Sequence, residues 1–382
     1  MIAYTYYLSD PRVKKEAEAL TESGFDIDFI SLKGPYESSL QCVNGVNIYR
    51  LNCRHYKGKS NTKYLFSYID FFFRVFFRIT SLYFKKKYKL IHINNMPDFL
   101  VFSALIPKIF GAKIILDIHD VMSDVFFNRG EIKRNFIIEK TLIFQEYISS
   151  KFADRVITVD DYCKNIIGTH GTRKDNILVV SNFPDENIFK PLKRNHIKND
   201  IFNLFFHGTI SKIYGLDVVI KGIRKALKKI PGLKFTIIGE GNYEDEISEL
   251  IKDLKLERVV EFRNKKIPQE KIPDEIKDAD LGVVSYSCLN TIFSNKFLEY
   301  TAMGIPTIIA YNEQVYNYFK GYNLEFYERN NPDSFADKLL YIYKNKKRYY
   351  ELKETALEIS RKFEWSKEKV KYVDLVNSLV SK

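Results

Sequence analysis

The chain has 382 residues, 45% of them hydrophobic and 28% charged; that is a soluble globular composition, long enough for two ordinary domains, and it excludes a disordered or fibrous protein. With 60 basic and 48 acidic residues the net charge is +12, which suits anionic partners: nucleic acid, an anionic bilayer or a nucleotide-linked substrate. The four cysteines, Cys42, Cys53, Cys163 and Cys288, lack metal-type spacing and read as reduced thiols of a cytoplasmic protein, with no secretory leader expected.

Residues 1–5 read as a first strand. Ser9 or Asp10 then caps a helix with Pro11 at its first position and Val13, Ala17 and Leu20 in period, and Gly24 ends it. Residues 25–30 alternate as a strand; Asp26 and Asp28 form a bare Asp-x-Asp pattern, but on two solvent-facing positions it is weak evidence for a metal. Residues 56–89 are basic and aromatic. Asp70, Arg74 and Arg78 fall on one helical face with aromatic residues on the others. The run is too charged to span a membrane. It is either suited to peripheral contact with an anionic membrane surface or a core helix with one wet edge.

Residues 90–98 form a strand running into the polar loop Asn94-Asn95-Met96-Pro97-Asp98, residues 99–110 a helix closed by Gly111, and residues 113–120 the next strand. Asp117, His119 and Asp120 cluster at its carboxyl end, where an open α/β sheet keeps its ligands. A helix over 132–153, a strand over 154–159, a short helix over 160–168 and a strand over 177–184 complete this half. Residues 185–200 read as a linker.

The second half restarts the alternation. A strand over 202–209 leads through His207-Gly208-Thr209 and a loop with Lys212 into a helix over 216–229. A strand over 233–238 meets Gly239 and Gly241; a helix over 243–254, a strand over 259–262 and a loop at Ile267 follow. A buried strand over 280–287, the run Ser294-Asn295-Lys296-Phe297-Leu298-Glu299 and a strand over 306–310 make a βαβ unit. The helix opening at Ser294 is expected to offer unpaired N–H groups, a positive dipole end and Lys296 to a phosphate, with Glu299 one turn on to accept sugar hydroxyls. Phosphate and ribose held together define a nucleotide site. Helices over 331–347 and 349–363 and a last one to 380 close the chain.

The line from Ser294 to Pro306 resembles the Ser-Lys-x-x-Glu-Tyr-x-x-x-Gly-x-Pro pattern of family 4 (group 1) glycosyltransferases. Residues 10–17 resemble that family's Asp-x-Arg-Val-x-x-Glu-Ala opening, and 94–98 with 116–120 resemble its histidine-bearing strand end. The resemblance implies a GT-B fold of the α/β class: two Rossmann-like, doubly wound parallel-sheet domains facing a cleft. It divides the chain into an acceptor domain, 1–188 with the returning helix 365–382, and a donor domain, 189–364. It implies a retaining hexosyl transfer from a nucleoside-diphosphate sugar to a saccharide acceptor, with no cofactor and no metal required. Donor contacts would come from Gly208, Thr209, Lys212, Gly239, Ile267, Ser294, Asn295, Lys296, Phe297 and Glu299. His119, Asp120, Lys212 and Lys296 would serve catalysis, and Asp10, Asn95 and Asp98 would lie on the acceptor side.

The sequence departs from the pattern at three places. Thr209 stands where the loop arginine is usual, Tyr214 where its lysine is usual, and Thr291 where the first of two spaced glutamates is usual. Lys212 is the substitute cation. A lipid-linked acceptor in envelope polysaccharide assembly, and a cytoplasmic or peripheral location on the inner face of the membrane, fit the basic aromatic run and the family's usual work. A GT-B nucleotide-sugar 2-epimerase and a non-catalytic sugar-nucleotide-binding protein are the alternatives. A nucleic-acid partner is not expected, because no recognised nucleic-acid module accompanies the two α/β halves.

Overall fold

The computed structural model describes residues 1–56, 58, 60–128, 135–192, 201–287 and 294–381. Two compact units make up the chain: Met1–Asn182 with Lys367–Lys382, and Phe183–Ser366. Each carries its own sheet.

In the first unit, β1 (Ile27–Leu32) pairs in parallel with β3 (Val46–Leu51), and β2 (Leu40–Val43) joins β3 antiparallel. Parallel strands β4 (Leu90–Asn94), β5 (Lys113–Ile118), β6 (Arg155–Thr158) and β7 (Ile177–Val179) follow in that order. The opening residues link the two groups, but not as the full strand expected. Ile2 alone makes the bridges, one to Ile30 and one to Ile93. The sheet also departs from a purely parallel expectation through the β2–β3 hairpin. Asn44 and Gly45 both have positive φ, 50° and 82°, as a two-residue loop matched to the strand twist requires.

The helix after Ser9-Asp10 spans Pro11–Glu22, yet the Asp10 side chain makes no capping bond; Pro11 supplies the start signal. The span expected at 99–110 is a 3₁₀ segment, Asp98–Ala104, followed by a short helix, Leu105–Ile109. The helix Phe136–Phe152 is capped by Asn135, and the start expected at 132 lies outside the described residues. β1 does not alternate. All six of its residues are buried, so Asp28 is not solvent-facing; Lys86 pairs with its carboxylate at 2.7 Å, and Asn47 and Tyr88 donate to it. The last helix, Trp365–Val380, packs within this unit: Tyr372 bonds His92 at 2.6 Å, and Glu368 accepts from the Ser181 amide at 3.0 Å.

The second unit holds six parallel strands: β8 (Phe202–His207), β9 (Leu233–Ile238), β10 (Val260–Arg263), β11 (Leu281–Val284), β12 (Thr307–Ala310) and β13 (Glu325–Tyr327). Their spatial order is β10-β9-β8-β11-β12-β13, the doubly wound arrangement in which connections leave in opposite directions from β8 and β11. In such sheets that reversal is where a crevice forms, here at the carboxyl ends of β8 and β11. Phe202, Phe206, Phe235 and Ile308 are among the residues buried in the core beneath it. β13 is only three residues long, too short for periodicity to reveal. Asn331 caps Pro332–Lys344 by accepting from the amides of Asp333 and Ser334.

Candidate active site

The crevice of the second unit is built on backbone proximity. A Cβ at Gly239, just past β9, would lie 1.8 Å from the Gly208 carbonyl oxygen, just past β8. No side chain fits there, so the two turns meet only because the residue is glycine. A Cβ at Gly208 would lie 3.4 Å from Lys296 Cε and 3.6 Å from Nζ, which puts the lysine directly beneath that turn.

Lys296 is 7% exposed. Its ammonium lies 4.1 Å from the centre of the Phe206 ring and 4.4 Å from that of Tyr214. The ring faces return part of the solvation it has lost. Burial nevertheless pushes its pKa down to about 7, against the opposing pull of the Glu299 charge. Tyr214, at the position where a lysine is usual, therefore supplies a ring that seats a different lysine. Lys212, itself exposed, lies two residues earlier on the turn Lys212–Tyr214. That turn is fastened to the end of β11: Ser287 donates its amide to the Ile213 carbonyl and its hydroxyl to the Lys212 carbonyl, each at 2.8 Å.

Glu299, 6% exposed, sits on the Asn295–Ala302 helix. Its Oε1 accepts from Gln269 at 3.3 Å, which brings the loop after Ile267 to the carboxylate. Its Oε2 lies 3.4 Å from His207 Nε2, outside hydrogen-bond geometry. Burial, with Lys296 nearby, pushes His207 down to about 3, so the ring is neutral. Ser294 occupies the N-cap position, but its side chain makes no capping bond. Phe297 is 2% exposed, and its amide is already donated to the Ser294 carbonyl at 2.9 Å; its ring packs on Phe319. Asn295 and Thr209 are exposed. Thr291 and Cys288 lie outside the described residues.

In the first unit, the carboxyl ends of β4 and β5 gather a second cluster. His119 Nε2 lies 3.0 Å from Asp117 Oδ2 and 3.0 Å from Asn94 Oδ1. Asn94 donates its amide to the Ile2 carbonyl, which leaves its oxygen for His119. Nε2 therefore carries the hydrogen, and Nδ1 is the nitrogen left for a ligand. Burial is the largest influence on His119 and works against its charge, but the Asp117 charge, its hydrogen bond and the Glu16 charge together raise the pKa above the usual value. Asp117 is fully buried; despite that, Arg12 at 2.9 Å and His119 hold it well below the ordinary carboxylate range.

Asn95 knits the strand ends, accepting from the His119 amide at 2.9 Å and donating to Asp98 and to the Asp120 carbonyl, each at 2.8 Å. Asp98, expected to face the acceptor, has no exposed surface, and burial with the Glu146 charge pushes it up to about 7. Asp120 and Asp10 are half-buried.

Arg12 and Glu16 were not singled out from the sequence, although both stand in the Asp10-x-Arg12-Val13-x-x-Glu16-Ala17 line. Arg12 lies 3.1 Å from Glu16, and burial pushes that carboxyl up to about 8. Glu16, Asp117 and His119 have metal-type proximity, their ligating atoms within 4.8 Å of one another, but a divalent ion would have to displace the Arg12 guanidinium. His207, Gln269 and Phe206 also emerge only in three dimensions.

Residues 187–358 match the family described as glycosyl transferases group 1, and residues 12–187 match glycosyltransferase family 4. The chain is a group 1, family 4 glycosyltransferase. Its fold is GT-B: the transferase superposes on sucrose-phosphate synthase from Thermosynechococcus elongatus with a TM-score of 0.76 at 16% identity, covering 100% of this chain and 99% of the other. Anabaena HepE, solved with UDP and glucose, aligns with a TM-score of 0.73 at 14% identity over 99% and 98% of the two chains. A glycosyltransferase from Rickettsia africae aligns equally well, with a TM-score of 0.73 at 14% identity over 99% and 98%. An uncharacterized glycosyltransferase from Haemophilus influenzae is 24% identical over 249 residues, 64% of this transferase and 62% of that relative.

Proposed function

We propose that this transferase moves a sugar, with retention at the anomeric carbon, from a nucleoside-diphosphate sugar to a saccharide acceptor that is lipid-linked and belongs to envelope polysaccharide assembly. The observation that carries the donor half is the Lys296–Glu299 pair on one helix, beneath the Gly208–Gly239 contact at the strand reversal. A leaving diphosphate gains negative charge as the glycosidic bond breaks. Lys296, Lys212 and the amides at the start of the Asn295–Ala302 helix are the groups proposed to meet that charge, without a metal. Glu299, already oriented by Gln269, accepts from the ribose hydroxyls. The binding of UDP and glucose by HepE supports the ligand class. The first unit is assigned the acceptor, with His119 Nδ1 as its sugar-facing group and Asp117 and Asn94 holding the ring.

Calorimetric titration with UDP and GDP tests the donor site. Glu299→Ala is expected to weaken binding of the preferred nucleotide by roughly tenfold to a hundredfold, as loss of charge-assisted bonds implies. Unchanged affinity removes Glu299 from the site. Transfer of radiolabelled sugar into a lipid-extractable product tests the acceptor, and release of an epimerised free sugar nucleotide would contradict the transfer.

A further inference from the structure

The long helix Asn61–Lys86 is apolar on two opposite sides. At about 100° per residue, Phe71, Val75, Ile79 and Leu82 share one stripe, and all four are buried against the first unit. Phe66, Phe73, Phe77 and Phe84 fall within roughly 20° of the opposite direction. They are exposed by 71%, 53%, 68% and 54%. An amphipathic helix on a globular surface turns its polar residues outward. Here the polar residues occupy one flank instead: Lys63, Asp70, Arg74, Arg78 and Lys85 line up beside the phenylalanine ridge. The ridge continues past the helix, since the Phe84 ring meets that of Phe110 at 5.4 Å and Ile109 and Phe110 are themselves 67% and 59% exposed.

Charge says what covers this surface. Among the described residues from 60 to 89 there are seven basic ones (Lys63, Arg74, Arg78, Lys85, Lys86, Lys87 and Lys89) and a single acid, Asp70; Arg74 holds Asp70 at 2.9 Å and Lys86 is answered by Asp28, which leaves the other five without an acid in the segment. A second copy of the chain would bring this positive flank against itself. A neutral protein surface would leave the lysines unanswered. No helix among the described residues is long and apolar enough to cross a membrane, so the ridge does not belong to a span. We propose that it docks the chain on an anionic bilayer, with the phenylalanines entering the headgroup–acyl boundary and Lys63, Lys85 and Lys87 among the lipid phosphates. The inference goes beyond the transfer reading and does not depend on the donor site.

The test is co-sedimentation of the full chain with phosphatidylcholine vesicles and with vesicles containing phosphatidylglycerol. The native chain is expected to bind only the second, less tightly as salt rises. Phe73→Ser with Phe77→Ser is expected to lower partitioning about tenfold or more. Lys85→Gln and Lys87→Gln should each lower it about fivefold. Unchanged thermal melting and unchanged nucleotide binding show that the variants are folded and keep the donor site out of the comparison. Native chain that ignores anionic vesicles overturns the proposal, and so does a phenylalanine variant that partitions normally. A dimer in gel filtration that the phenylalanine variant dissolves would assign the ridge to a second copy instead.

Discussion

Lys296 is the residue whose role and cost can be separated by experiment. In an unfolded chain its ammonium titrates near the ordinary 10.5, whereas in the fold burial lowers it to about 7. Between those values the unfolded chain holds a proton that the folded chain has released, so the lysine makes stability rise with pH across that window and fall as pH drops toward 7. Below 7 both states are protonated and the penalty is complete. At about 1.4 kcal/mol per pKa unit, the full penalty is roughly 4–5 kcal/mol, and relaxation around the charge makes roughly 2–5 kcal/mol the working range. Lys296→Met keeps the length and apolar stem and removes the charge. The variant is therefore expected to be more stable than the native chain at pH 7 by that amount, with the advantage shrinking toward pH 10. Urea unfolding at pH 7, 8.5 and 10 measures it. The same change should weaken nucleoside-diphosphate binding by roughly tenfold to a hundredfold, because the diphosphate loses a charge-assisted partner. A pH-independent difference between the two chains, or a variant less stable at pH 7, refutes the reasoning.

Other changes probe the remaining parts. Arg12→Ala should cost roughly 3–5 kcal/mol, because it strands the buried Asp117 carboxylate; thermal melting that stays near native would contradict the pairing. For His119→Gln, a raised native pKa means the histidine's contribution is full below its unfolded value near 6.5 and is lost as pH climbs through the folded one. The variant should accordingly be more destabilised at pH 5.5 than at pH 9, and equal losses at both would remove the Asp117–His119 charge coupling. Gly239→Ala puts a methyl 1.8 Å from the Gly208 carbonyl, so the two turns must part. A loss of roughly 2–4 kcal/mol is expected together with weaker nucleotide binding, and a native melting curve would show the contact is not required.

Much of the fold was legible because the segments that carry it are local. Strand and helix alternate down the chain, Pro11 opens a helix and Asn331 caps one, and the run from Ser294 to Pro306 announces a helix between two buried strands. What failed also failed locally. Residues 1–5 look like a strand, and they do bond β1 and β4 from between them; only the regular ladder falls short, since Ile2 alone makes the bridges. Asp28 looked exposed by alternation, whereas a strand covered on both faces hides every residue and calls in Lys86 from 58 positions away to neutralise its charge. The Asn44-Gly45 hairpin, by contrast, is signalled locally by its turn chemistry.

The site divides along the same line. Residue type and spacing along one helix are properties of the chain, so the placement of Lys296 and Glu299 on one helix, and of His119 at a strand end, was legible in it. Their surroundings were not. The ring pair around Lys296 joins β8, the loop after it and a helix some ninety residues on. Arg12 reaches Asp117 across 105 positions, and Gln269 reaches Glu299 across 30. The chain by itself determined which chemistry was available: a basic α/β protein with a lysine and a glutamate on one short helix between two buried strands. Only tertiary packing decided the protonation and orientation of those groups, because both follow from burial and from partners that sequence distance conceals.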